Sequence, residues 1–136
     1  MLSRGVRQGD PHSPYLFIIA LETLAIKIRS DISIKGFRIG GEPTKLFLFA
    51  DDMTCFLSDK ESYTSLFATL ESFGSCSGLR VIHEKTEILA LGSNNLEDKD
   101  FNDHKICETT KILGVYFGYD GKQRNDLNYR QTLKSI

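Results

Sequence analysis

From Leu16 onward the apolar residues fall at helical spacing. Leu16, Phe17, Ala20, Leu21, Leu24, Ala25 and Ile28 share one face, while Glu22, Lys27 and Arg29 lie off it. Ile18 and Ile19 widen the apolar face. Ser13 suits a cap, and Pro14 suits the first helical position, where a missing N–H costs nothing. The pattern predicts a heavily buried helix over about residues 14–30. A second apolar stripe, Tyr63, Leu66, Phe67, Leu70 and Phe73, predicts another helix. Ser58 and Glu61, three apart, form a capping-box pattern at its head, and Gly78 is a stop signal at its tail.

Between these helices the period changes. Ile34 to Ile39 is a short strand-like run, and Gly40-Gly41-Glu42-Pro43 reads as a turn. Leu46 to Phe49 and Met53 to Leu57 are strand-like and flank Ala50-Asp51-Asp52, which predicts a hairpin with two aspartates at its tip. Further on, Leu79 to Ile82, Glu87 to Leu91 and Ile112 to Phe117 are strand-like, and residues 93–104 are polar and loop-like. Asn125 to Ile136 reads as the start of a helix. Helices packed on one face of an antiparallel sheet make an α+β domain.

Composition narrows the function classes. The chain has 136 residues, 40% hydrophobic and 26% charged, enough for one domain with a core of its own. Lys plus Arg is 17 and Asp plus Glu is 18, a net charge of −1, which argues against a strongly basic, free-standing nucleic-acid binder. The longest apolar run is broken by Glu22 and is too short for a bilayer, so no membrane partner is expected. The start turns polar at once, unlike a secretory signal. Cys55, Cys76 and Cys107 are odd in number and form no C-x-x-C pair, so neither a disulfide framework nor a zinc site is expected. The expected location is intracellular, in nucleus or cytoplasm.

Two segments carry candidate chemistry. Asp51 and Asp52 are adjacent carboxylates in an apolar hairpin, where mutual repulsion makes both charges costly. A hard divalent cation relieves that cost, and magnesium commonly takes only one or two protein carboxylates. Asp-Asp is also ordinary at an exposed turn. The second segment is Arg4-Gly5-Val6-Arg7-Gln8-Gly9-Asp10-Pro11-His12-Ser13-Pro14. Its glycines allow close backbone approach, its arginines can reach phosphates, and Gln8 both donates and accepts. Either segment alone is also compatible with a plain loop. His12, His83 and His104 are scattered and read as surface or loop residues. Cys55 and Cys76 read as packed thiols, and the stripe Tyr63, Phe67, Phe73 reads as core.

The order of the segments is more specific than either one. RGVRQGDPHSPYLF, then LFLFADDM, an amphipathic helix, SCSGLRVIHEKTEILALGS and KILGVYFG together resemble the reverse transcriptases of non-LTR (LINE-type) retrotransposons. The likeness covers essentially the whole chain. It implies a polymerase palm-like antiparallel sheet, with residues 1–124 a partial palm and 125–136 the start of a following, thumb-like helix. It implies Asp51 and Asp52 as catalytic metal ligands. Arg7, Gln8, Gly9, Ala50 and Lys85 would lie beside nucleotide and template, and Leu113 and Gly114 would hold the primer. Ala50 would be small to let primer and nucleotide approach, and Phe49 would pack beneath the site.

The implied reaction is DNA synthesis on an RNA template, from a DNA primer and deoxynucleoside triphosphates. Two magnesium ions, with manganese as an alternative, would serve nucleotidyl transfer. The family's further catalytic aspartate belongs to a block upstream of the Arg-Gln-Gly motif and is not among these residues. The fingers are also absent, and the thumb is at most begun. The chain alone is therefore expected to be inactive and to depend on an upstream polymerase segment. The alternative is a palm remnant that binds nucleic acid or protein without catalysis. His12 stands where the family usually has Leu, and Ile82 where it usually has Asn.

Overall fold

A computed structural model describes residues 13–91, 101, 104–118 and 120–134. The chain divides into two compact units, residues 1–81 and 82–136.

In the first unit, α1 (Ser13–Ser30) leads into β1 (Phe37–Ile39) and β2 (Glu42–Thr44), followed by β3 (Leu46–Phe49), β4 (Asp52–Cys55) and α2 (Lys60–Ser77). α1 packs on α2 and on β3. The core consists of Leu24, Ala25 and Ile28 from α1, Ile34, Leu46, and Tyr63, Leu66, Phe67 and Leu70 from α2. The stripe on α2 is thus core as expected, with Phe73 half-buried at its end. α1 departs from expectation. Tyr15, Leu16, Ile18, Ile19 and Ile26 are all more than half exposed. Among the described residues one helix and one hairpin strand cover a single stripe of α1; Ile19 and Ile26 lie off the Leu24–Ala25–Ile28 stripe, and Ile18 is on its edge nearer the N-terminus.

The end of α1 is fixed by a lysine from the hairpin. Lys45 Nζ donates to the carbonyls of Arg29 (2.8 Å), Ile28 (3.4 Å) and Asp31. A cation thereby meets carbonyls that the helix leaves unpaired at its negative end. Gly36 permits the neighbouring close approach, since a Cβ there would sit 2.1 Å from the Thr44 carbonyl oxygen.

α2 is capped one residue later than the Ser58–Glu61 pattern predicts. Asp59 is the cap, in extended conformation, and its Oδ1 accepts from Ser62 N–H at 2.8 Å. Ser58 instead ties its own N–H to the Lys35 carbonyl at 3.0 Å. Asp59 also pairs with Lys35 at 3.2 Å. Hydrogen bonds from Ser62, with a smaller contribution from Lys35, pull the Asp59 carboxyl down to about 2. The Ser62 hydroxyl is fully buried and accepts the Lys35 N–H at 2.9 Å. Gly78 ends the helix in the left-handed conformation, as expected.

The second unit contains a 3₁₀ turn (His83–Lys85), then β5 (Glu87–Leu89), β6 (Lys105–Cys107), β7 (Thr109–Ile112), β8 (Val115–Gly118) and α3 (Gly121–Lys134). Phe101, His104 and Cys107 are buried in it. β5 and β6 run parallel, and Thr110 Oγ1 donates to Glu87 Oε2 at 2.6 Å, joining β7 to β5. α3 packs on β8 and begins four residues earlier than expected, at Gly121. Leu79 to Ile82 is not a strand.

The mixed α and β content is as predicted, but the strands are not one antiparallel sheet. The described strands form four two-stranded ladders, and the β5–β6 ladder is parallel. Three are tight hairpins, because two-residue turns pair a strand with its immediate neighbour. None of the described helices is long and apolar enough to cross a membrane.

Candidate metal and nucleotide site

The β3–β4 hairpin positions the aspartates. Its register pairs Leu46 with Cys55, Phe47 with Thr54, Leu48 with Met53 and Phe49 with Asp52. Side chains alternate between faces along each strand, and directly paired residues share a face. Leu46, 4% exposed, turns inward against α1, with Leu48 on the same side. Phe47, Phe49, Asp52 and Thr54 therefore share the outward face. Phe47 is braced by Phe56, ring edge to ring face at 5.1 Å between centres. Phe49 is 65% exposed, so it does not pack beneath the site. The alternation that buries Leu46 turns Phe49 outward beside Asp52.

The turn has only Ala50 and Asp51 at its centre. Ala50 has φ +53°, a conformation that residues with a Cβ adopt at a cost. Asp51 and Asp52 are both exposed, one in the turn and one at the first position of β4. No described group of three or more His, Cys, Asp or Glu residues could enclose a metal ion. The pair fits a hard cation that keeps water and substrate phosphate in the rest of its shell, rather than an all-protein cage.

Arg7, Gln8 and Gly9 fall outside the described residues. Lys85 closes the 3₁₀ turn of the second unit, is exposed, and donates its N–H to the Ile82 carbonyl at 3.1 Å. Leu113 and Gly114 were expected inside a strand but form the turn between β7 and β8, with φ +48° and +87°. Gly114 supplies the left-handed backbone that lets the chain reverse there.

A sequence profile of the reverse transcriptase (RNA-dependent DNA polymerase) family matches residues 1–117. The chain belongs to this reverse transcriptase family. Its relatives include Pol polyproteins of R2 retrotransposable elements. It is 34% identical over 135 residues to that of Drosophila melanogaster, covering 90% of this chain and 12% of the relative. It is 30% identical to that of Popillia japonica, covering 99% of this chain and 21% of the relative. The match to the Nasonia vitripennis protein is 31% over 97 residues, covering 71% of this chain and 9% of the relative. The chain thus spans about a fifth or less of these reverse transcriptase relatives.

The histidines and cysteines correct the sequence reading. His104 is 3% exposed and its Nε2 lies 2.7 Å from Nδ1 of His83, so the two are neither scattered nor both on the surface. Only their joint placement beside β5 and β6 reveals the pairing; nothing in the local sequence signals it. Cys76 is exposed rather than packed, whereas burial pushes the Cys55 thiol up to about 12.

Proposed function

We propose that the chain is part of the palm of a retrotransposon RNA-directed DNA polymerase, with Asp51 and Asp52 holding divalent ions at the β3–β4 turn. The observation that carries this reading is the hairpin itself, which places one carboxylate in its two-residue turn and the next at the first position of β4. Asp51 and Asp52 would hold magnesium or manganese, which when bound supplies positive charge for nucleotidyl transfer. Ala50 keeps the turn narrow. Arg7, Gln8, Gly9 and Lys85 would face nucleotide and template, and Leu113 and Gly114 the primer. RNA template, DNA primer and deoxynucleoside triphosphates are the partners in this reading, and the location is nuclear or cytoplasmic. These 136 residues carry only part of the family's catalytic set, so they are inactive alone.

Titration with Mn²⁺, followed by NMR line broadening, tests the ligand assignment. Broadening should centre on residues 50–53 and disappear in the double variant Asp51→Ala/Asp52→Ala. Broadening unchanged in that variant would remove the assignment. Primer extension on an RNA template by the chain alone would overturn its inactivity. A salt-sensitive gel shift with an RNA–DNA hybrid that survives the double variant would favour the non-catalytic remnant.

A further inference from the structure

We propose that His83 and His104 form a proton-operated clasp that fastens the entry of the parallel β5–β6 ladder. The ladder has three registered pairs, Glu87 with Lys105, Ile88 with Ile106 and Leu89 with Cys107. His104 immediately precedes β6, and His83 opens the turn that leads into β5. Nδ1 of His83 and Nε2 of His104 are 2.7 Å apart, a hydrogen-bond distance. The ring centres are 5.0 Å apart and the ring planes differ by 12°. One ring radius at each end plus the 2.7 Å bond accounts for that separation. The rings therefore meet edge to edge in nearly one plane, as an in-line N–H···N bond requires.

An N–H···N bond holds one proton between its two nitrogens. His83 is exposed whereas His104 is buried, so a positive charge on the pair is better solvated on His83. His83 then donates Nδ1–H to the lone pair of His104 Nε2, a charge-assisted bond that is stronger than the neutral one. A second proton must go to His104 Nε2 itself. That removes the acceptor, sets N–H against N–H, and places two like charges at contact in a buried position. The first proton keeps the clasp closed and the second opens it.

The surroundings support this order. Burial, and then the charge of His83, hold the His104 imidazole below its ordinary value of 6.5. The other charged groups on the adjoining elements are Glu84 and Lys85 on the turn, Glu87 on β5, Lys105 on β6, Glu108 after it and Lys111 on β7. Glu87 is engaged by Thr110, and Lys111 lies over the Tyr116 ring. Asp103, next to His104 in sequence, falls outside the described residues. His104 is also anchored through its backbone, donating N–H to the Phe101 carbonyl at 3.0 Å, so ring release is transmitted to the start of β6.

The test is histidine-detected NMR of the ¹⁵N-labelled full chain between pH 8 and 4, with amide exchange measured in parallel. Two separated steps are expected, the later one on His104 and below 6.5. Protection of the β5–β6 amides should fall as pH drops below about 6.5, by up to about tenfold per pH unit, and level off once His104 is protonated in the folded chain. His83→Gln keeps a side-chain donor that does not titrate, so one step should remain and the loss of protection should move to higher pH, because no charge on residue 83 then opposes protonation of His104. His104→Phe, which keeps the buried volume, should abolish the pH dependence of protection. Independent titration of both rings near 6.5, or unchanged β6 protection through the His104 step in the unmodified chain, would overturn the clasp. So would saturable Zn²⁺ binding at pH 7 that abolishes both titrations, which would make the pair a metal site.

Discussion

Asn128 holds Tyr116 by both of its backbone polar groups. Oδ1 accepts the Tyr116 N–H at 2.8 Å, and Nδ2 donates to the Tyr116 carbonyl at 3.0 Å. Tyr116 is paired with Lys111 in the β7–β8 hairpin, between the pairs Ile112–Val115 and Thr110–Phe117. Alternate residues of such a ladder point their N–H and C=O away from the partner strand. The Asn128 amide therefore takes the place of a further strand and anchors α3 to β8. Asn128→Asp removes the donor and turns an oxygen toward the Tyr116 carbonyl. It should cost about 1–3 kcal/mol in urea unfolding.

The β3–β4 turn makes a prediction of opposite sign. Ala50 occupies φ +53° with a Cβ present. Ala50→Gly removes that strain and should stabilise the protein by about 0.5–1 kcal/mol, after the extra freedom of unfolded glycine is offset. Ala50→Val should destabilise by about 1–3 kcal/mol, because β-branched residues resist positive φ. Denaturant midpoints of the three proteins, measured side by side without metal, check the order Gly, Ala, Val.

Much of the first unit was legible because its signals are local. Stripes on two helices, glycines in turns and the Asp-Asp hairpin all act over a few residues. The α2 cap was misread by one position because Ser58 and Asp59 are both good caps. Long-range demand decides between them: Lys35 draws the Ser58 N–H and the Asp59 carboxylate to separate tasks. The outward turn of Phe49 and the exposure of Ile18 and Ile19 depend on which face finds a partner, and an apolar pattern does not say that. The Leu113–Gly114 turn was hidden inside a hydrophobic run, where Ile112 and Val115 look like one strand although they face each other across the ladder. The His83–His104 pair joins residues 21 apart through a parallel ladder, which leaves no periodic trace.

Asp59 sets an acid limit on the first unit. Its folded pKa of about 2 lies below the ordinary 3.8 because Ser62 and Lys35 bind the charged form. A depressed carboxylate contributes stability that is complete above the unfolded value and is lost as pH falls toward the folded one. Thermal unfolding of the unmodified chain and of Asp59→Asn should therefore differ from neutral pH down to about pH 4. The difference should shrink between about pH 4 and 2, and the curves should meet near the lower end. A gap that stays constant across this range would separate the cap from the ionised carboxylate.

Thiol chemistry distinguishes the three cysteines, all of them free. The thiolate is the reacting form, so access and ionisation act together. Cys76 lies exposed near the end of α2, whereas Cys107 is buried. Cys55, in β4 beside the hairpin core, is pushed up to about 12 by burial. At pH 8 that leaves a thiolate fraction on the order of 10⁻⁴, against roughly a quarter for a free cysteine near 8.5. Iodoacetamide at pH 8 should modify Cys76 first, with Cys55 slower by on the order of 10³-fold. In urea the three rates should converge. Mass-spectrometric mapping of the adducts over time checks both statements. Early labelling of Cys55 in the native chain would mean that the β3–β4 hairpin opens from α1 far more readily than the burial of Leu46 implies.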